Sequence, residues 1–369
     1  MEYDSPAAAR HPKRRAGRVL GAAAVLLLIA VLLLILSVSQ AMRPVSTLRQ
    51  NGFLGADPAA FYDGAGNGLA VATPDRIALY AASGKCVAER RVSMIAPICV
   101  GSPLLGAYYD PGQSGLHTLY PDGTSRAIDT DGGVVSVDVN ETGLVTVLLE
   151  SSDSHVSVLV YDTDLTPLFR WDAGRTIPLL GRTSGEDLLC VSSITRAGSE
   201  LHFFRIDRSE ELSCLSLPGE ILLDFDFLTD GTLAAVLESR LILADPTGKM
   251  ISSMEFGGDH LEAWSLGGDF AAVFTVTGQS GGSGTLTSID SDGRILGSGS
   301  APLHVGALCG EKQELIVLYD GGESTLYDSA LTELVSYQPE ADDTQVFLNP
   351  NGTAYFAGPS GVTLVDFGR

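Results

Sequence analysis

Residues 134–171 limit the folds open to this chain more than any other stretch. They read Val-Val-Ser-Val-Asp-Val-Asn, turn at Glu141-Thr142-Gly143, and resume as Leu-Val-Thr-Val-Leu-Leu-Glu. A polar break at residues 151–154 follows, then an apolar run over 155–161, a turn at Asp162-Thr163-Asp164, and a last run over 165–171. Four short, β-branched, alternating runs joined by tight turns predict a four-stranded antiparallel meander.

The same unit recurs. Apolar runs ending near Tyr80, Tyr120, Tyr161, Ile206, Ala244, Ile289, Tyr327 and Val365 each lead into a turn or the chain end, often through an Asp. Several turns carry a Gly, as in Asp122-Gly123, Gly248-Lys249 and Asp292-Gly293, because Gly supplies the positive φ that tight hairpins need. These eight markers are spaced about 41 residues apart on average, the period of four-stranded propeller blades. A second turn class lies nearer the start of some blades: Asn140-Glu-Thr-Gly143, Thr229-Asp230-Gly231-Thr232 and Asn349-Pro-Asn351-Gly352-Thr353. Two markers in constant order predict an all-β, eight-bladed β-propeller with blades near 59–92, 97–129, 134–172, 176–217, 221–256, 260–299, 303–338 and 344–367. A Gly/Ser-rich stretch, 278–284, reads as a loop inside the sixth blade. The last blade lacks a fourth strand, and residues 45–54 are a spare strand at the other end. Pairing them would close the ring and remove two exposed edges. A seven-bladed ring with one degenerate unit is the alternative.

The pattern of apolar strand, Asp, Gly turn and apolar strand resembles WD-, YVTN- and quinoprotein-type propeller repeats. The layout as a whole resembles membrane-anchored propellers of Gram-positive bacteria that have no characterised function. The resemblance implies the fold and the location and carries no catalytic residues. Only Trp171 and Trp264 are present where quinoprotein repeats carry a Trp in most blades, which speaks against a quinone cofactor.

Residues 19–38 are twenty uncharged, Leu-rich residues with Ser37 as their one hydroxyl. As a helix they would span roughly 30 Å, the thickness of a bilayer core. Arg10, Lys13, Arg14, Arg15 and Arg18 precede them, so the N-terminus is expected on the cytoplasmic side. The resulting layout is a basic cytoplasmic tail (1–18), a transmembrane helix (19–38), a linker (39–44) and an extracytoplasmic propeller (45–369). The competing reading is a cleaved signal peptide, since Ser39-Gln40-Ala41 offers small residues, although the apolar core exceeds the usual length of about 7–15. The formal charge of the chain is -22, and beyond the apolar segment 18 basic residues face 43 acidic ones, a net -25. Such a surface repels phosphate, so nucleic acid is not expected as a partner.

Chemistry is sparse. Cys86, Cys99, Cys190, Cys214 and Cys309 are odd in number and scattered, and read as free thiols, with a Cys190–Cys214 bridge left open. His117, His155 and His202 fall at unequal depths of outer strands and form no ring, so these and His260 and His304 read as strand-surface histidines. The Asp-x-Asp-Gly runs at 129–132 and 290–293 lack the Glu that a calcium loop needs at its twelfth position, where Asn140 and Ala301 stand. Ser-based hydrolysis finds no Gly-x-Ser-x-Gly elbow followed by matched Asp and His, and the sequons at Asn140 and Asn351 fall in turns. Catalytic, metal and cofactor sites are therefore expected to be none.

Asp138 and Asp226 occupy matching places in the innermost strands of two blades, and Asp224 shares the Asp226 face while Phe225 and Phe227 point away. These three carboxylates either bond neighbouring turns or form an acidic channel mouth that favours a cation or a basic peptide. The expectation is a tethered binding, sensing or scaffolding platform whose partners are membrane lipid through 19–38 and an envelope protein, basic peptide or glycan. The alternatives are a hydrolase or lyase with its site in the channel, or a subunit of an envelope assembly.

Overall fold

Each blade is assembled from hairpins whose turns are set by their own residues. At the end of the third strand of one blade, Asp245 N donates to Lys249 O and Gly248 N to Asp245 O, both at 2.9 Å. The Asp245 carboxylate accepts from the Thr247 and Lys249 amides, Gly248 has φ +80°, and the register slips between Leu243 and Ala244. That is a type I turn followed by a bulge with a left-handed residue. The same arrangement recurs at Asp162, Asp290 and Asp328. At the first and last of these, Leu165 and Leu331 take φ +60° where the other copies place Gly.

In the computed structural model, the described residues are 51–55, 57, 59–150, 155–174, 176–185, 187–208, 210–278, 284–301, 304–320, 322–340 and 343–367. They form eight four-stranded antiparallel sheets, seven of them meanders in chain order. Blades 1 to 7 cover residues 61–91, 98–129, 133–172, 177–218, 222–255, 260–301 and 305–337. Blade 8 combines three C-terminal strands, Gln345–Leu348, Thr353–Gly358 and Gly361–Asp366, with Asn51–Gly55 as its outermost strand. Asn51 pairs with Leu364, Gly52 with Thr363 and Gly55 with Gly361. The ring is thus closed by both ends of the propeller, and the eight-bladed reading holds over the seven-bladed one. Residues 45–50 of the expected closing strand, the apolar segment 19–38 and most of the Gly/Ser-rich loop lie outside the described residues. Among the described residues, no helix is long and apolar enough to cross a membrane.

Core clusters lie between neighbouring blades, because each sheet buries both faces. Leu233–Leu237, the second strand of blade 5, is buried at all five positions. Between blades 3 and 4, Phe204 packs on Phe169 and Trp171 with ring centroids 5.5 and 5.0 Å apart. Such aromatic pairs add about 0.5–1.5 kcal/mol beyond the area they bury. Alternation of half-buried and exposed residues survives on outermost strands such as Met250–Glu255, whose outer edge is solvated.

Candidate functional site

The innermost strands approach one another closely enough to bond across blades. Asp63, in the first strand of blade 1 (Phe61–Ala65), accepts the Gly101 amide of blade 2 at 2.8 Å and the Gly64 amide at 2.9 Å. Gly101 permits this, since a Cβ there would lie 2.2 Å from Gly64 O. Asn140 ties blade 3 to blade 4 through Nδ2 to Gly185 O at 2.8 Å, while its Oδ1 accepts the Thr142 and Leu144 amides at 3.0 Å. Ser265 Oγ accepts the Gly310 amide across blades 6 and 7 at 2.8 Å.

Arg182 is the hub of this inner ring. It sits in Ile177–Ser184, the innermost strand of blade 4, and reaches the two adjacent blades. Its Nε lies 3.4 Å from Asp138 Oδ1 in blade 3. Its Nη1 lies 3.1 Å from Asp224 Oδ1 and 3.4 Å from Asp226 Oδ2 in blade 5, and also donates to Phe225 O. The guanidinium stands 5.7 Å from the Phe225 ring centroid. Asp224 is further held by Trp264 Nε1 of blade 6 at 3.0 Å. Period-two alternation puts Asp224 and Asp226 on one face and Phe225 in the core behind them.

These groups meet at a cavity of about 610 Å³ lined by residues of the innermost strands of seven blades, among them Asp63, Val100, Asp138, Arg182, Asp226 and Phe347. Arg182 is its one cation among the described lining residues, against the carboxylates of Asp63, Asp138 and Asp226. The cavity is open to water, so these side chains keep partial exposure, yet the surrounding strands still desolvate them. Burial pushes Asp138 up to about 7, against the pull of Arg182 and with the help of Asp226, Asp63 and Asp224. Burial likewise lifts Asp63 to about 6, opposed by its two backbone hydrogen bonds and by Arg182. Asp226 is raised for the same first reason despite Arg182. For Arg182 burial works against the charge, but the fields of Asp226, Asp224 and Asp138 outweigh it and raise its pKa.

The three carboxylates singled out from sequence are thus brought together, and two residues that sequence reasoning missed, Arg182 and Asp63, join them. Arg182 could have been found: it is a charged residue inside an alternating apolar run, at the depth of Asp138 one period earlier. Asp63 gives a weaker signal, since its blade has a shorter first strand. The Asp-x-Asp-Gly run at 290–293 is a turn, Asp290 Oδ1 accepting the Asp292 and Arg294 amides. All five cysteines are free, so the possible Cys190–Cys214 bridge does not form. One expectation for the histidines fails: His202 is buried, 6% exposed, because Trp171 of blade 3 covers its ring at 5.2 Å.

Comparison with solved structures returns the same architecture. BamB from Moraxella catarrhalis aligns with a TM-score of 0.58 and 13% identity, covering 88% of this chain and 99% of that one. The C-terminal WD40 domain of Sif2 gives 0.62 and 12%, over 85% and 95%. The computationally designed protein Ika8 gives 0.63 and 11%, over 86% and 98%. At such identities the likeness is one of fold. No curated protein matches the sequence. A family model matches residues 55–358, nearly the whole propeller, and the chain therefore belongs to DUF5711, a family of unknown function.

Proposed function

We propose that this chain is a membrane-tethered, extracytoplasmic propeller that serves as a binding platform, its channel receiving a cationic group such as a side chain of a basic peptide. The observation that carries this reading is the charge imbalance on the axis. Three carboxylates, Asp63, Asp138 and Asp226, line the cavity with one guanidinium, Arg182, which Asp224 also pairs. A cleft with one sign of charge in excess concentrates ligands of the other sign. A propeller adds a rigid ring from which loops recognise partners. The uncharged residues 19–38, preceded by five basic residues, support tethering with the propeller outside.

The full chain is tested in detergent against immobilised Lys- and Arg-containing peptides. Binding is expected to weaken as salt rises, since exposed charges are screened over about 8–10 Å at ordinary ionic strength. It is also expected to fall in Asp226→Asn. Binding that ignores both salt and that substitution refutes the channel reading. Tethering is tested by adding protease to spheroplasts, which should digest the propeller and spare an N-terminal tag. A mature chain starting at Met42 refutes the anchor.

A further inference from the structure

Away from the channel, the outer half of blade 4 gathers a second set of polar groups. Glu200 and His202 lie on its third strand, Gly198–Arg205, and Cys214 on its fourth, Glu211–Pro218. The pleat puts them on one face: His202 is the direct cross-strand partner of Cys214, and Glu200 is two residues from His202. One ligand atom from each, a carboxylate oxygen, an imidazole nitrogen and a sulfur, lies within 4.8 Å of the other two. His202 Nε2 is 3.5 Å from Glu200 Oε2.

The surroundings orient the imidazole. Glu211 Oε1 lies 2.9 Å from His202 Nδ1. A carboxylate can only accept, so Nδ1 carries a proton. In the neutral ring Nε2 then presents a lone pair, which accepts from Ser193 Oγ at 2.8 Å. That lone pair is held by nothing stronger than the hydroxyl, and the Glu200 carboxylate 3.5 Å away and the Cys214 sulfur stand around it. An ion that displaces the hydroxyl would meet nitrogen, oxygen and sulfur donors together. A carboxylate behind the far nitrogen of a ligating histidine is also the usual support for a metal, since it fixes the tautomer and raises the basicity of the near nitrogen.

We propose that Glu200, His202 and Cys214 bind one divalent transition metal ion, Zn(II) by the chemistry of the donors. A mixed nitrogen, sulfur and oxygen set suits zinc, with bonds of about 2.0–2.1 Å to nitrogen, 2.3 Å to sulfur and 2.0–2.2 Å to oxygen. Ligand atoms already within 4.8 Å of one another need to close by only about 1 Å to meet those bond lengths. On binding, Cys214 releases its thiol proton to water and becomes the thiolate ligand, with no change of oxidation state. Three protein ligands leave a fourth position beside Ser193 for water or for a group from a partner. Cys214 is exposed, which gives the ion a path in, while Trp171 shields the imidazole from the other side. The site is independent of the channel and of the reading proposed for it.

The test uses the full chain, purified reduced and titrated with Co(II), whose thiolate complexes show a sulfur-to-metal charge-transfer band. One equivalent is expected to bind with that band, and one equivalent of Zn(II) to bleach it. Cys214→Ser, at an exposed position, should remove the band and leave the circular dichroism spectrum unchanged. Glu211→Gln should keep the band but weaken binding about 10- to 100-fold, as for other partners of ligating histidines. Asp138→Asn in the channel should change nothing. A chain that gives no band, takes up Co(II) without one, or keeps the band in Cys214→Ser overturns the proposal.

Discussion

Arg182 Nη1 stands 3.1 Å from Asp224 Oδ1, although the two belong to different blades. With Asp138 on its other side, the guanidinium joins the inner edges of blades 3, 4 and 5. Replacing it with a neutral side chain of similar length leaves three carboxylates without their cation. Removing one partner of a buried pair costs about 3–5 kcal/mol, and partial exposure here reduces that. Arg182→Met should therefore lower stability by about 2 kcal/mol at neutral pH, read as a lower urea midpoint with an unchanged slope. The loss should shrink toward pH 5, where Asp138 is protonated. A midpoint equal to that of the parent at pH 8 would sink the hub assignment.

The raised carboxylates make stability fall as pH rises. Asp138 and Asp63 hold their protons to about 7 and about 6 when folded, well above the ordinary range for an unfolded Asp. Between roughly pH 4 and 7 the folded state therefore binds more protons than the unfolded state, and unfolding free energy declines with pH. This contribution is complete below the unfolded pKa and gone above the folded one. Asp138→Asn should flatten the decline measured by denaturant titration across that window. A decline of unchanged steepness in the variant would show that Asp138 is not its source.

Much of this was legible in sequence, for physical reasons that differ by feature. Turn chemistry is local: Asp245 and Gly248 dictate their hairpin whatever surrounds them, so copies in phase fixed blade number and boundaries to within a few residues. The alternation Asp224-Phe225-Asp226 is local too, and placed both carboxylates on the channel face. What the carboxylates meet is not local. Arg182 lies 44 residues from Asp138 along the chain, and only ring geometry brings them together. His202 defeats the sequence in the same way, because the group that buries it, Trp171, comes from the preceding blade.

Turn glycines should be graded by what surrounds them. Gly248 has φ +80°, and a Cβ there would lie 2.8 Å from the Phe203 ring. Gly174 has φ +62° with open space around the added atom. Left-handed backbone costs a non-glycine residue about 1–2 kcal/mol, so Gly174→Ala should lose about that much. Gly248→Ala should lose about 1–3 kcal/mol more, through overpacking against Phe203. Thermal unfolding of the two variants checks the order, and equal midpoints would show that Phe203 yields without cost.

Closure of the ring gives the last expectation. Asn51–Gly55 is the outermost strand of blade 8 and pairs with Gly361–Asp366. Without it that C-terminal strand would present a row of unpaired amides and carbonyls, and Leu54 would no longer cover the cluster containing Val362 and Leu364. A chain starting at Pro58 keeps every other strand of the propeller but lacks this one. Compared with a chain starting at Met42, it should unfold at lower temperature and lose hydrogen-exchange protection first in Gly361–Asp366. It should also self-associate more readily, because an uncovered edge is a template for another strand. Blade 1 should keep its protection, since its strands pair among themselves. Matching midpoints and matching protection in the two chains would mean that the N-terminal strand contributes nothing to closure.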